Sequence, residues 1–223
     1  MTALPILEEL LRQPRPEGAR LVFDIDNTVA DTRYRTLHVA RAFDGLGGTA
    51  YFRQLSLADV RLDGRTTAEG LGLPAAVAED FHAYWRSDRG FWCGDCFVHD
   101  RPLEPVAALA QRATALGFEV VWLTGRIEAL RVPTAHWLDT HGLSGQQLVC
   151  KPDLTIRTTA FKAQYFASQG APNKVGFFMT ESTGDIAAVR AVVPTVPCIV
   201  VDFPYRESVP IDPSTPVLSV ELT

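Results

Sequence analysis

The sequence contains no long hydrophobic run, no excess of basic residues and few cysteines. No apolar stretch approaches the roughly 20 residues that a membrane-spanning helix requires, so a membrane-spanning protein is not expected. Lysine and arginine number 21 against 26 aspartates and glutamates, a net charge of −5. A chain of this charge lacks the electrostatic attraction by which proteins bind duplex nucleic acid or anionic membranes. Neither is therefore expected among its partners.

The N-terminal segment lacks the basic beginning, the continuous apolar stretch and the small-residue cleavage site of a secretion signal. We therefore expect a cytoplasmic protein whose four cysteines are free thiols. Met1–Gly18 carries leucines at helical spacing and predicts a short amphipathic helix. Glycine and proline, at 16 and 15 of 223 residues, are too few for a collagen-like chain, and 47% hydrophobic residues predict an ordinary folded core.

Short apolar runs alternate with helical patterns over the C-terminal half. Such runs are typical of strands buried on both faces of a parallel sheet. They lie at Leu21–Ile25, Phe118–Leu123, Gln147–Cys150, Val175–Met179 and Cys198–Asp202. The helical patterns lie at Pro102–Leu116, Pro133–His141, Thr158–Ser168 and Gly184–Val192. This alternation predicts an α/β fold, a Rossmann-like doubly wound parallel sheet.

A long segment after the first strand interrupts the alternation. Roughly 70 residues there are far more than an ordinary loop contains. Amphipathic stretches at Thr36–Phe43, Arg53–Val60 and Ala75–Arg86 indicate a mainly helical insertion. The sequence thus predicts a core of residues 1–29 and 101–223, interrupted by a helical domain of residues 30–100. The proline-containing tail after Pro204 predicts an extended segment with an added edge strand at Val217–Leu222; whether it mediates self-association into a homo-oligomer is left open.

Polar residues collect where the predicted strands end. Asp24 and Asp26 follow the first strand two positions apart, so both can face one ligand. Ligands of open α/β sheets bind at this carboxyl end. Two neighbouring carboxylates cost free energy unless a cation or a shared proton compensates them.

Two further groups of polar residues follow later strands. Thr124 and Gly125 end the second strand with a hydroxyl and a backbone N–H that can bind an anion, and Arg126 follows them. Lys162 lies in a predicted helix, and two acids, Glu181 and Asp185, follow the next strand. Three strand ends would therefore supply carboxylates, a hydroxyl and an N–H, with a lysine nearby.

This order of elements resembles the haloacid dehalogenase superfamily. The resemblance rests on Asp-x-Asp-x-Thr at Asp24–Thr28, Thr124-Gly125, a lysine and the late acids, and it covers the proposed core. It implies a Rossmann-like sheet with a cap inserted after the first motif, and a Mg²⁺-dependent phosphatase acting on a small phosphomonoester. The stretch from Thr124 through Trp137 to Leu143 also resembles, more weakly, the acid-phosphatase-like and polynucleotide 3′-phosphatase-like branches.

The resemblance also implies a role for each site residue. Asp24 corresponds to the nucleophile that forms an aspartyl-phosphate, and Asp26 to the general acid and base. Thr124, Gly125 and Lys162 correspond to the phosphate-binding residues, with Arg126 as a candidate substrate contact. The Mg²⁺ ligands would be Asp24, the Asp26 carbonyl, Glu181 and Asp185. Chemically, the cation and the lysine would offset the approach of a carboxylate to a phosphate, which costs roughly 4 kcal/mol per like-charge pair at 4 Å and an effective dielectric of 20.

Several alternatives remain open on the sequence. The motif has Glu181 after Thr180, where the family more often has an aspartate after a glycine, so either Glu181 or Asp185 is the closer metal ligand. Lys151 and Lys174 are alternatives to Lys162 as the lysine that would bind the phosphate. A phosphotransferase or mutase, a polynucleotide 3′-phosphatase and a non-catalytic binding or regulatory protein are the other functions. The single CxxC at Cys93–Cys96 favours packing over a metal or redox role, because no second ligand pair is evident.

Overall fold

The computed structural model describes residues 20–169, 175–204 and 212–220. It divides the chain into two compact units. The core unit runs up to Ala30 and resumes at Pro102, and the insertion unit is Asp31–Arg101. The predicted helix at Met1–Gly18 and the competing Lys174 lie outside the described residues.

The core unit contains a six-stranded parallel sheet in the order β5-β4-β1-β6-β7-β8. The strands are β1 Arg20–Phe23, β4 Glu119–Ile127, β5 Gln147–Lys151, β6 Val175–Thr180, β7 Cys198–Asp202 and β8 Val217–Ser219. A second, two-stranded sheet pairs β2 (Ala30–Asp31) with β3 (Arg101–Pro102), where the chain leaves and re-enters the core unit.

The centre of the sheet is apolar on both faces, as the sequence predicts. Val22 of β1 packs in one cluster with Val121 of β4 and Phe178 of β6. The neighbouring residue Phe23 points to the other face, where its ring lies 5.2 Å from that of Phe177. Such burial on both sides explains why these strands read as unbroken hydrophobic runs.

Helices cover the sheet as in a doubly wound α/β fold. They are α4 Glu104–Ala115, α5 Arg131–Thr140, α6 Thr158–Ser168 and α7 Thr183–Val192. Phe166 of α6 and Ile186 and Val189 of α7 belong to the cluster around Val22. The predicted fold class is therefore confirmed, with boundaries that differ by a few residues.

The insertion unit is mainly helical. Its helices are α1 Arg33–Gly47, α2 Gly64–Gly70 and α3 Ala75–Trp85, with short 3₁₀ turns at Leu57–Asp59 and Gly94–His99. The helix predicted at Arg53–Val60 is wrong, because only the 3₁₀ turn forms there. α2 was not predicted from the sequence; its first turn is capped by the Asp63 carboxylate, which accepts from the Thr66 backbone N–H at 2.8 Å.

The predicted tail strand is confirmed at Val217–Ser219, while Leu222 lies outside the described residues. All four cysteines are free thiols. No helix in the described ranges is both long and apolar enough to cross a bilayer.

Candidate active site

The candidate site lies at the carboxyl end of the sheet, around its central strand. β1 pairs with β4 on one side and with β6 on the other, so the strand order changes direction at β1. Parallel sheets bind ligands at such a switch point. Asp24 directly follows β1, Thr124 lies in the C-terminal half of β4, and Glu181 directly follows β6.

The loop after β1 is closed by a tight turn. Asn27 has a positive φ of 56°, a conformation that asparagine tolerates better than most residues. Three backbone N–H groups, those of Thr28, Val29 and Ala30, donate to the Ile25 carbonyl at 2.9–3.2 Å. The turn directs the Thr28 hydroxyl to Glu181, where it donates to Oε2 at 3.0 Å and accepts from the backbone N at 3.1 Å.

Lys162 connects two of the carboxylates. Its Nζ, on α6, lies 2.7 Å from Asp24 Oδ2 and 2.5 Å from Asp185 Oδ2. All three side chains are buried. Asp24 Oδ1 accepts from the Ile25 N–H at 2.8 Å, so both of its oxygens are held in place. Of Lys151 and Lys162, the two candidate lysines that the structure describes, Lys162 is the one beside Asp24.

Glu181 completes this cluster without an ion pair of its own in the described residues. Besides Thr28, its Oε2 lies 3.3 Å from the Thr180 hydroxyl, which is also 3.3 Å from Asp24 Oδ2. Asp185 lies in the first turn of α7, where its backbone N–H donates to the Ser182 hydroxyl at 3.2 Å. Asp24 and Asp185 therefore share one lysine, and Glu181 is linked to Asp24 through the Thr180 hydroxyl.

The electrostatics of the cluster follow from burial and from the excess of acids. Burial raises the pKa of Asp24 above its ordinary value, with Lys162 opposing and Asp185 adding to the rise. The pKa of Glu181 is held well above its ordinary value, first by burial and then by the charge of Asp24. Burial works against the ammonium of Lys162, but the charges of Asp185 and Asp24 raise its pKa above the ordinary lysine value.

Asp26 is paired with Arg126. The guanidinium donates from Nη2 to Asp26 Oδ1 at 2.7 Å and from Nε to Asp26 Oδ2 at 3.2 Å. Arg126 is fully buried, while the Asp26 side chain is 19% exposed. Bidentate pairing of this kind fixes the orientation of a carboxylate. The sequence suggested a substrate contact for Arg126, and the contact seen here is with Asp26.

The end of β4 is packed tightly against α6. The Thr124 hydroxyl, fully buried, accepts from the Arg126 backbone N–H at 3.1 Å. A Cβ added at Gly125 would lie 2.8 Å from Thr158 Cγ2 and 2.9 Å from its Oγ1. Real Cβ atoms do not approach so closely, so glycine is required for this strand to meet the first turn of α6.

The residues present fit a divalent cation by their chemistry. Asp24, Asp26, Glu181 and Asp185 bring four acids against the two bases Lys162 and Arg126. Carboxylate oxygens are the ligands that Mg²⁺ prefers, and the excess negative charge would be offset by such an ion. In the described part of the chain no three acidic, histidine or cysteine side chains are gathered as a ready metal site. The Lys162 ammonium joins Asp24 to Asp185 instead.

Three residues of the candidate site were not predicted from the sequence. The hydroxyls of Thr28 and Thr180 contact Glu181, and Thr158 packs on Gly125. Thr28 could have been found, since it is the last residue of the Asp-x-Asp-x-Thr pattern. Nothing local in the sequence marks Thr158, because its contact depends on how α6 meets β4.

Solved structures of other proteins superpose on most of this chain. A phosphoglycolate phosphatase, so named by prediction, from Haemophilus somnus superposes with a TM-score of 0.63 at 16% identity, covering 92% of this chain and 95% of that one. A HAD-superfamily hydrolase from Geobacter sulfurreducens gives 0.59 at 14% identity, covering 85% and 91%. CbbY from Rhodobacter sphaeroides, in complex with phosphate, gives 0.55 at 13% identity, covering 89% and 92%.

The chain has the fold of haloacid-dehalogenase-type hydrolases. No protein-family model and no curated protein sequence matches it. The fold that the sequence resemblance implied is thus confirmed by structural likeness.

Proposed function

We propose that this protein is a Mg²⁺-dependent phosphatase of the haloacid dehalogenase superfamily that hydrolyses a small phosphomonoester. The observation that carries the proposal is the cluster in which buried Asp24 meets Lys162, Asp185 and Glu181 at the carboxyl end of the sheet. Structural likeness over most of the chain to a predicted phosphoglycolate phosphatase and to a HAD-superfamily hydrolase supports it.

In the first half-reaction Asp24 is the nucleophile. A lone pair of its carboxylate attacks phosphorus, the bond from phosphorus to the leaving oxygen breaks, and an aspartyl-phosphate forms. Lys162, 2.7 Å from Asp24, favours the ionised carboxylate against the effect of burial and offsets the negative charge of the arriving phosphate. Thr124 and the Gly125 N–H are the proposed donors to the phosphate oxygens.

Asp26 is the proposed general acid and base. It protonates the departing oxygen, and in the second half-reaction it removes a proton from the water that hydrolyses the aspartyl-phosphate. Arg126 holds both oxygens of Asp26 in a fixed orientation, so its proposed role is to position the proton donor. A halide leaving group needs no such proton, which favours phosphate ester hydrolysis over dehalogenation.

Asp24, the Asp26 carbonyl and Glu181 are the proposed ligands of the metal. Glu181 is favoured over Asp185 because Asp185 is already bound to the Lys162 ammonium. When bound, Mg²⁺ would lower the electrostatic cost of bringing phosphate to the carboxylates. The insertion unit is the proposed cap that selects the leaving group.

The test is phosphate release from a broad panel of phosphomonoesters, with Mg²⁺ and with EDTA. Wild type should turn over only with Mg²⁺, and Asp24→Asn should lose at least about a thousandfold in kcat/KM. Asp88→Asn, at an exposed acid of the insertion unit, is the matched control and should behave as wild type.

Retained turnover in folded Asp24→Asn would contradict the assigned nucleophile. Turnover in EDTA would contradict the role of the metal. Transfer to an added alcohol without phosphate release would instead identify a phosphotransferase.

A further inference from the structure

The insertion unit contains a pocket that the proposed chemistry does not use. Its volume is about 460 Å³, and it lies between the end of α1, the loop after it and one face of α3. Binding sites for small molecules commonly have volumes of about 300–1,000 Å³. All of its lining residues belong to the insertion unit.

One wall of the pocket is a face of α3. Val77, Asp80 and Tyr84 are spaced three and four residues apart and so share this face. Phe81 and Trp85, on the adjoining face of α3, are buried. The amphipathic pattern of the helix therefore turns a carboxylate and a phenol ring toward the pocket.

The other wall comes from α1 and its following loop. Phe43 and Leu46 belong to the last turns of α1, and Tyr51 follows in the loop. This loop is held by the Asp44 carboxylate, which accepts from Thr49 Oγ1 at 2.7 Å and from the backbone N–H of Tyr51 at 2.9 Å. The aromatic residue is thus carried on a fixed segment, so the site is largely preformed.

The lining combines aromatic rings with a single charge. The rings of Phe43 and Tyr84 lie 5.6 Å apart, and Tyr51 and Leu46 remain 43% and 68% exposed. Asp80 is the only charged residue among the lining residues, and within the described ranges it forms no ion pair. Aromatic faces attract cations through the ring quadrupole, and an unpaired carboxylate attracts them directly.

We propose that this pocket binds a small organic ammonium ion. The charged nitrogen lies beside Asp80 and the rings of Tyr51 and Tyr84, and the apolar part of the ligand packs on Phe43, Leu46 and Val77. A neutral ligand of equal shape binds more weakly because it cannot use the carboxylate, and an anion is repelled by it. The proposal does not depend on the proposed phosphatase activity.

The test is calorimetric titration of the full-length protein with choline as the probe. Its uncharged counterpart of the same shape, 3,3-dimethylbutan-1-ol, is titrated in parallel. Choline should bind at least about tenfold more tightly, a difference of about 1.4 kcal/mol. Asp80→Asn, which keeps the shape and removes the charge, should weaken choline binding about tenfold and leave the alcohol unaffected.

A second variant and a matched control separate binding from folding. Tyr84→Leu should weaken choline while keeping the apolar wall, and Asp88→Asn on the same unit should bind as wild type. Circular dichroism and thermal unfolding show that each variant is folded. Equal affinity for choline and the alcohol, unchanged binding in folded Asp80→Asn, or no choline binding at about 20 mM would each overturn the proposal.

Discussion

Both units bury charged side chains, but they compensate them differently. In the insertion unit Arg35 pairs with Asp100, both fully buried, and Arg33 pairs with Asp31 at 2.6 Å. Arg33 and Arg35 are thus each seen beside an acid. In the core unit Lys162 serves both Asp24 and Asp185, while Glu181 beside them has no cation of its own in the described residues.

The difference separates a buried ion pair of the insertion unit from the proposed functional cluster of the core unit. The Arg35 guanidinium lies 4.1 Å from the Phe91 ring and 4.5 Å from the Phe97 ring, and it donates to the Phe91 carbonyl at 3.0 Å. Such a pair is complete within the protein. The core cluster keeps an excess of acid that a ligand would compensate, and buried groups with perturbed pKa values mark candidate sites for that reason.

The largest expected effect is that of Lys162→Met. It leaves Asp24 and Asp185 without their ammonium, so we expect the free energy of unfolding to fall by about 5 kcal/mol in EDTA. Mg²⁺ at about 100 times its Kd should return about 2.7 kcal/mol. Urea denaturation with and without Mg²⁺ measures both. No loss of stability in EDTA would show that the lysine does not compensate these acids.

Arg35→Met should cost slightly less, about 3–4 kcal/mol, because it leaves one buried carboxylate, Asp100, unpaired. Mg²⁺ should stabilise this variant no more than it stabilises wild type, because the core cluster is unchanged. The double variant Arg35→Met/Asp100→Leu removes both charges and should return close to wild type. A larger stabilisation by Mg²⁺ of the single variant than of wild type, or no recovery in the double variant, would break the proposed contrast between the two units.

Glu181→Gln should act in the opposite direction. It removes the charge of a partly buried acid that forms no ion pair in the described residues, while keeping an oxygen for the Thr28 hydroxyl, so metal-free protein should gain about 1 kcal/mol. Stabilisation by Mg²⁺ should shrink at the same time. Glu69→Gln, at an exposed acid, is the control. Unchanged stabilisation by Mg²⁺ in Glu181→Gln would remove this residue from the proposed ligands.

The smallest expected effect concerns how fast the buried cysteine thiols react. Burial raises the pKa of the Cys150 and Cys198 thiols to about 11, and that of Cys96 to about 12. At pH 8 a thiol-specific reagent should therefore modify Cys93, which is partly exposed, about a hundredfold faster than the other three. Fast modification of two or more thiols in native protein would contradict this ranking.

The same thiols predict a pH dependence of stability. In the unfolded chain a thiol loses its proton near pH 9, whereas folded Cys150 and Cys198 keep theirs to about pH 11. Ionisation therefore stabilises the unfolded chain first, and the free energy of unfolding should fall as the pH rises from 9 to 11. Cys150→Ala/Cys198→Ala should flatten this part of the profile in denaturation measured at each pH.

Much of the core unit could be predicted because its signals are local. The strands β1, β4 and β6 are short apolar runs, and their burial on both faces makes them readable without knowing their neighbours. The insertion unit was harder to predict. α2 has only seven residues and two glycines, so its helix depends on the Asp63 cap and on packing against α3 rather than on propensity.

The sequence by itself determined which residues lie at the candidate site. Asp24, Thr124 and Glu181 follow or end apolar strands, and in a parallel sheet all such ends lie at one edge. Only the tertiary structure decided how they pair: Lys162 with Asp24 and Asp185, Arg126 with Asp26, and Arg35 with Asp100. Along the chain Lys162 lies 23 residues from Asp185 and 138 residues from Asp24. Such pairings depend on how helices pack on strands rather than on any local pattern.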